Sequence, residues 1–297
     1  MKSYIYPQTI QERASMVREA QTIEFHQSKY VYYPQGLNPA IPERMGDELH
    51  QALQQRQIQV FLQPRMHLPE ERLCAAEALA RWQWPDGSWS LPDQFLPALE
   101  QTGLIPQLDF YMLEEVAKLQ QQWSQQRKLW LPVSVNLSVV TLLQPDVVER
   151  ITALAVQYQL NAGQLELEVT ERNLAEQQMV LLPVVQQLRQ AGFPVHLDDF
   201  GTGSSSLSTL LQLPVDFVKL DRSFLEQDLH NQRTDRYIRQ LVQLLQAAEV
   251  KIIFEGVETE AQALFLRSLP VEQGQGWYWQ RPLHWRVFEQ NYLYMAQ

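Results

Sequence analysis

A (β/α)₈ barrel is the fold this sequence predicts, and three observations carry the prediction. From residue 50 onward, short apolar runs alternate with stretches of helical period, the pattern of parallel βαβ units. About eight such units fit into roughly 240 residues, the size of one barrel domain. Breakers fall at the joints, with Gly192 closing one helical stretch and Pro194 opening the next strand. A doubly wound open sheet is the alternative, and no GxGxxG or P-loop pattern supports it.

The strands read in order as 58–64, 74–82, 131–138, 164–171, 193–200, 215–221, 250–258 and 274–279. Between them lie helical stretches such as "LDFYMLEEVAKLQQQW", "VLLPVVQQLRQAG" and "DRYIRQLVQLLQAAE". The glutamine clusters at 51–59 and 119–128 read as solvated helix faces. Residues 1–45 suggest a helix and a short strand with nothing in the barrel to pair with. They are taken as an N-terminal extension, and residues 46–297 as the barrel domain.

Composition narrows the function. With 297 residues and 45% hydrophobic content, the chain can bury a large core. A formal charge of −10 argues against a surface for polymeric nucleic acid, which needs a basic patch. A small phosphorylated ligand stays open if metal cations supply the positive charge. The single cysteine, Cys74, rules out an internal disulfide, fits a reducing cytoplasm and reads as a core residue rather than a nucleophile. No apolar run reaches the roughly 18 residues of a membrane span, and no signal-peptide pattern follows Met1. The chain itself is expected to be cytoplasmic and to make no membrane contact, any anchor lying outside it.

Polar residues then mark a site. Alternate residues of a strand share a face. On that rule Glu77, Leu79 and Arg81 share one face, as do Glu166 with Glu168, His196 with Asp198, and Phe217 with Lys219 and Asp221. Ser134, Asn136 and Ser138 oppose Val133, Val135 and Leu137, and Glu255 opposes Phe254. These polar groups cluster toward the C-terminal ends of their strands, where such barrels carry active sites. Glu77, Glu168, Asp198, Asp199 and Glu255 would repel one another by several kcal/mol in a low-dielectric pocket. Lys219 and Arg81 cannot neutralise all five, whereas divalent cations can. Oxygen donors plus one asparagine amide, without His or Cys at ligand spacing, point to Mg²⁺ or Mn²⁺. Adjacent aspartates let one carboxylate bridge two ions while the other holds the second. The following "GTGSSS" permits a tight turn with helix-capping serines, and equally a loop that orders on binding.

The motifs "EALARW" (77–82), "VNLS" (135–138), "LEVTE" (167–171), "DDFGTG" (198–203), "KLDRSF" (219–224), "EGVET" (255–259) and "QGW" (275–277) occur in that order. Together they resemble the EAL domain of cyclic di-GMP phosphodiesterases over about residues 50–290. The resemblance implies a barrel whose first strand runs against the others. It also implies hydrolysis of cyclic di-GMP to linear pGpG with two Mg²⁺ or Mn²⁺ ions. Carried over by position, Glu77, Asn136, Glu168 and Asp198 hold the first metal, with Asp198 bridging and Asp199 on the second. Lys219 polarises the attacking water, Glu255 serves as general base or second-metal partner, and Gln275 positions water. Gln63, Leu79 and Arg81 match substrate positions, Arg81 meeting a phosphate. Glu171 braces the loop of Phe200, Gly201, Thr202 and Gly203, which the resemblance ties to homodimer contacts and coupling between protomers. The N-terminal "EFHQSKYVYYP" resembles the tail of a GGDEF domain, although no GGDEF motif is present. The sequence departs from the family pattern at Ser204, Phe254 and Trp277, none of which is a ligand position.

His196 is expected to be a hydrogen-bonded interior histidine rather than a ligand, and "WYW" (277–279) barrel wall rather than a base platform. Two rival functions stand beside hydrolysis. A receptor that binds cyclic di-GMP without cleaving it would lack a metal ligand or the lysine, and none is missing. A glycosidase with paired carboxylates accounts for the acids but not for Lys219 or the adjacent aspartates.

Overall fold

The structure, a computed structural model, describes residues 41–126, 130–170, 178–201, 214–229 and 231–293. The tail-like segment expected over 1–45 therefore lies almost wholly outside the described residues. Its expected boundary falls within helix α1 (Ile41–Gln54).

After α1 come β1 (Ile58–His67), β2 (Arg72–Gln83), the short β3 (Trp89–Ser90), α2 (Pro92–Gln101) and α3 (Ile105–Gln125). Next are β4 (Val133–Asn136), α4 (Val139–Leu142), α5 (Val147–Gln157), β5 (Leu165–Thr170) and α6 (Gln178–Gln190). The chain continues through β6 (Val195–Phe200), β7 (Phe217–Leu220), a 3₁₀ turn (Arg222–Phe224), α7 (Gln232–Ala247) and β8 (Lys251–Phe254). It then forms α8 (Glu260–Arg267), β9 (Gln273–Gln275), β10 (Leu283–His284) and α9 (Trp285–Phe288). All eight expected strands are present, but the last, expected over 274–279, is only Gln273–Gln275, and residues 276–279 form a turn instead.

Strands β2 and β4 to β9 run parallel in chain order. β1 pairs antiparallel with β2 on one side and β9 on the other, which closes the cylinder. The first strand thus runs against the rest, as the resemblance implies. β3 adds to β2 and β10 to β1; at two residues each they carry no period that a sequence could display.

Val133, Val135, Leu165, Leu167, Val195 and Leu197 are buried in one core with Leu113, Val116, Leu181, Val185, Val242 and Leu245 of the helices. Each such side chain contributes roughly 1.5–3 kcal/mol. Not every glutamine lies in solvent. Gln120 is 1% exposed, and its amide donates to the carbonyls of Gln164 at 2.5 Å and Leu131 at 3.3 Å, sewing α3 to the strand entrances. The 51–59 cluster is not one helix face either, because α1 ends at Gln54 and Gln59 is already in β1.

A second buried tie from α3 fixes the loop after β4. Asp109 accepts from the Ser138 backbone N–H at 2.9 Å and from the Thr141 hydroxyl at 2.5 Å. Burial pushes its carboxyl up to about 6, against the hydrogen bonds from Thr141 and Ser138. A raised acid contributes stability below its unfolded value and loses it as pH rises through the folded value. Asp109→Asn, which keeps an acceptor without the charge, should therefore flatten the fall in stability between about pH 4 and 6. At neutral pH it should gain up to about 3 kcal/mol over the parent. Urea midpoints of both proteins across that range measure the difference.

A polyacidic candidate active site at the barrel mouth

Strand alternation stacks two inward layers of side chains. The upper layer holds Gln63, Glu77, Asn136, Glu168, Asp198, Lys219 and Gln275, and the lower one Arg65, Glu166, His196 and Phe217. Register places neighbours side by side around the rim: Gln63 opposite Glu77, Asn136 opposite Glu168, and Glu168 beside His196.

Lys219 is the centre of the upper layer. Its Nζ lies 2.5 Å from Glu168 Oε2, 2.8 Å from Glu255 Oε1, 3.1 Å from Asp198 Oδ1 and 3.4 Å from Glu77 Oε2. Asn136 donates to Glu77 at 3.1 Å. Glu77, Asn136, Glu168, Asp198 and Lys219 therefore share one centre, and Glu255 reaches it from the end of β8. Arg81 does not join them. Its guanidinium donates to the Ala80 carbonyl at 2.8 Å and sits over the Phe61 ring, so one ammonium faces four carboxylates.

This imbalance sets the ionisation. Burial opposes the charge on Lys219, but Asp198, Glu168, Glu255 and Glu77 outweigh it and raise the ammonium well above its usual range. Glu168, fully buried, is held below the usual carboxylate range because Lys219 and His196 overcome the cost of burial. Asp198 and Glu255 go the other way, raised by burial and by the neighbouring acids despite Lys219.

The paired aspartates are explained by the backbone. In a regular strand Asp199 would face away from Asp198. Instead the β6–β7 register shifts between Leu197 and Phe200, and Asp199 takes a left-handed φ of 56°. Carboxylate oxygens of Asp198, Asp199 and Glu255 thereby lie within 4.8 Å of one another. Burial first and Asp198 second push the Asp199 carboxyl up to about 6. Gly201 follows at φ 101°, where a Cβ would come 2.4 Å from the Phe224 ring, so the turn requires glycine.

Gln275 donates to Glu77 at 2.5 Å and to Gln63 at 3.1 Å, and Gln63 donates on to the Gln280 carbonyl at 3.3 Å. Gly276 allows this placement, since a Cβ there would meet the Val257 carbonyl at 2.1 Å. Leu79 and Arg81 are half-buried further along β2. Phe200 is buried, while Glu171, Thr202 and Gly203 lie outside the described residues. Phe254 is fully buried behind Glu255. Tyr278 and Trp279 pack against the core as wall, whereas Trp277 is half exposed with the Arg281 guanidinium stacked on it. Cys74 donates to the Arg65 carbonyl, and burial pushes its thiol up to about 11, which leaves it inert.

Arg65 was not legible as a site residue. It lies inside β1 two residues beyond Gln63, is 1% exposed, and donates to Glu166 at 2.5 Å. His196 Nε2 faces the same Glu166 oxygen at 3.2 Å, so the expected interior histidine is present. The i, i+2 relation of Arg65 to Gln63 was the available signal.

The group suits hard cations. Ligand atoms are oxygens throughout, and among the described residues the buried Glu168 Oε1 and Gln275 Oε1 accept no hydrogen bond. A closed α/β barrel with acids gathered about one lysine at the C-terminal strand ends defines a barrel-mouth enzyme class. The chain belongs to the EAL domain family, matching it over residues 47–282. It is 35% identical over 235 residues to the probable cyclic di-GMP phosphodiesterase PdeB of Escherichia coli, covering 79% of this chain and 44% of that protein. It is 32% identical to MucR of Pseudomonas aeruginosa, a bifunctional diguanylate cyclase/cyclic di-GMP phosphodiesterase, over 94% of this chain and 42% of that protein. The solved PaMucR phosphodiesterase in complex with c-di-GMP superposes with a TM-score of 0.76 at 33% identity, over 82% of this chain and 99% of that one. The chain thus spans less than half the length of these curated relatives. Among the described residues, no helix is long and apolar enough to cross a membrane.

Proposed function

We propose that this domain is a metal-dependent phosphodiesterase that hydrolyses cyclic di-GMP to linear pGpG. The observation that carries the reading is the convergence of Glu77, Glu168, Asp198 and Glu255 on Lys219 Nζ, within 3.4 Å in every case. Four carboxylates against one ammonium leave three negative charges to be balanced if all ionise, the charge that divalent cations supply.

Glu77, Asn136, Glu168 and Asp198 would hold one Mg²⁺ or Mn²⁺ ion, and Asp198, Asp199 and Glu255 a second. Bound there, such ions supply Lewis-acid activation of water and neutralise charge on the phosphoryl oxygens. With cations on its acids, Lys219 would be free to hold the attacking water and the developing negative charge. The water oxygen would bond to phosphorus as one ester P–O bond of the ring breaks. Glu255, if not engaged by the second cation, would accept the proton of the water, and the departing ribose oxygen would leave as a hydroxyl protonated from solvent. Gln275, fixed between Gln63 and Glu77, orients that water.

Purified protein given cyclic di-GMP and Mg²⁺ should form pGpG, stop with EDTA and recover with Mg²⁺ or Mn²⁺. Binding without pGpG would favour the receptor reading instead. For Arg81 to reach a phosphate it exchanges the Ala80 carbonyl for the ligand. Arg81→Ala should accordingly raise KM roughly tenfold to a hundredfold, the worth of one charge-assisted hydrogen bond, with kcat little changed. Steady-state kinetics separates the two parameters.

A further inference from the structure

The site has a floor that the proposed chemistry does not use. Beneath the upper layer, Arg65, Glu166 and His196 form a buried set that is 1%, 4% and 0% exposed. Arg65 NH2 donates to Glu166 Oε2 at 2.5 Å, and His196 Nε2 faces that oxygen at 3.2 Å. The opposite ring nitrogen, Nδ1, points up at Glu168 Oε1 at 3.5 Å and lies 3.5 Å from Arg65 NH1. Phe217 seals the side, its ring centroid 4.4 Å from that of His196 and 5.5 Å from the Arg65 guanidinium carbon.

Glu168 is thus held through one oxygen by the upper layer, while its other oxygen, which accepts no hydrogen bond, faces the floor. Lys219 takes Oε2, and His196 is the polar side chain beneath Oε1. With divalent ions in the mouth, Lys219 would change partners, and the floor would be the remaining polar contact of the carboxylate. A buried ligand without such a contact is free to rotate, and its metal affinity falls.

We propose that His196, held in place by the Arg65–Glu166 pair, is a positioning residue that orients Glu168 for the cation. This rests on the metal-dependent reading above and adds to it a requirement for residues that touch neither cation nor substrate. The two ring nitrogens make it specific. An asparagine at 196 can supply a donor near Nδ1, whereas a glutamine supplies one near Nε2.

The test measures Mn²⁺ binding by the electron paramagnetic resonance signal of free Mn²⁺, without substrate, in proteins shown folded by circular dichroism. His196→Ala should weaken binding about tenfold to a hundredfold. His196→Asn should recover most of that loss and His196→Gln should not. Parent-like affinity in His196→Ala, or equal affinities in the Asn and Gln variants, overturns the proposal. If His196→Ala does not fold, Glu166→Gln carries the same test, since it slackens the grip on His196 without opening a cavity. A several-fold loss of Mn²⁺ affinity supports the positioning role, and an unchanged affinity overturns it. Failure of the parent to bind Mn²⁺ would instead strike the metal-dependent reading itself.

Discussion

Lys219→Met should show two effects that separate in the presence of metal. In metal-free buffer it leaves Glu77, Glu168, Asp198 and Glu255 without their shared counter-ion in a site where Lys219 is 1% exposed. Breaking buried ion pairs from one side costs about 3–5 kcal/mol, and for a domain of this size the melting temperature should fall by about 10 °C. Millimolar Mn²⁺ should restore most of that stability, because the ions replace the missing positive charge. Turnover should stay down by roughly a hundredfold to a thousandfold even when the metal is saturating, because no donor then faces the reacting phosphoryl group. Differential scanning calorimetry and pGpG formation, each with and without Mn²⁺, give the four numbers. Were turnover to return together with stability, Lys219 would be a counter-ion only.

That split explains why the site was half legible in the sequence. Carboxylates at alternate strand positions announce a shared face, and the C-terminal bias of Glu168, Asp198 and Lys219 announces which end. Periodicity could not announce Asp199. Its place beside Asp198 depends on a bulge and a φ of 56°, a local exception to strand alternation. The floor was hidden for a related reason. Arg65 and Glu166 sit on the proper inward faces, yet each alone reads as an ordinary strand residue, and only barrel closure puts residues 101 positions apart at 2.5 Å. Gln120 shows the converse error. Its neighbours in a glutamine-rich run suggest solvent, but its helical phase turns it inward to the carbonyls of Gln164 and Leu131.

Glu166 illustrates how close a structural acid can stand to a functional one. It shares a strand face with Glu168 but belongs to the floor. Burial disfavours its charge, while Arg65 and His196 overcome that and bring it down to about 2. A lowered acid contributes stability above its unfolded value and loses it as pH falls through the folded one. The Arg65–Glu166 pair should therefore hold at neutral pH and fail between about pH 4.5 and 2. Glu166→Gln should remove that segment of the acid-unfolding curve followed by far-UV circular dichroism.

Asp198→Asn should behave in the opposite sense, making the metal-free protein more stable and ending its activity. Asp198 is 8% exposed, with Glu168 and Glu77 acting on it and Lys219 as the opposing charge. Burial and those acids raise its carboxyl, so the ionised form at neutral pH opposes the fold. An isosteric amide removes one of the repelling charges and retains an oxygen for Lys219, so the metal-free melting temperature should rise by a few degrees, or about 1 kcal/mol. On the proposed reading, the same exchange removes a carboxylate that would hold the cations. Losing about 4 kcal/mol of metal-derived stabilisation corresponds to roughly a thousandfold slower turnover. It should also abolish the Mn²⁺-induced rise in melting temperature seen in the parent. Calorimetry with and without Mn²⁺, paired with pGpG formation, tests both signs at once. A variant less stable than the parent yet still within tenfold of its rate would place Asp198 among the structural acids. The cations would then have to be sought elsewhere in the barrel.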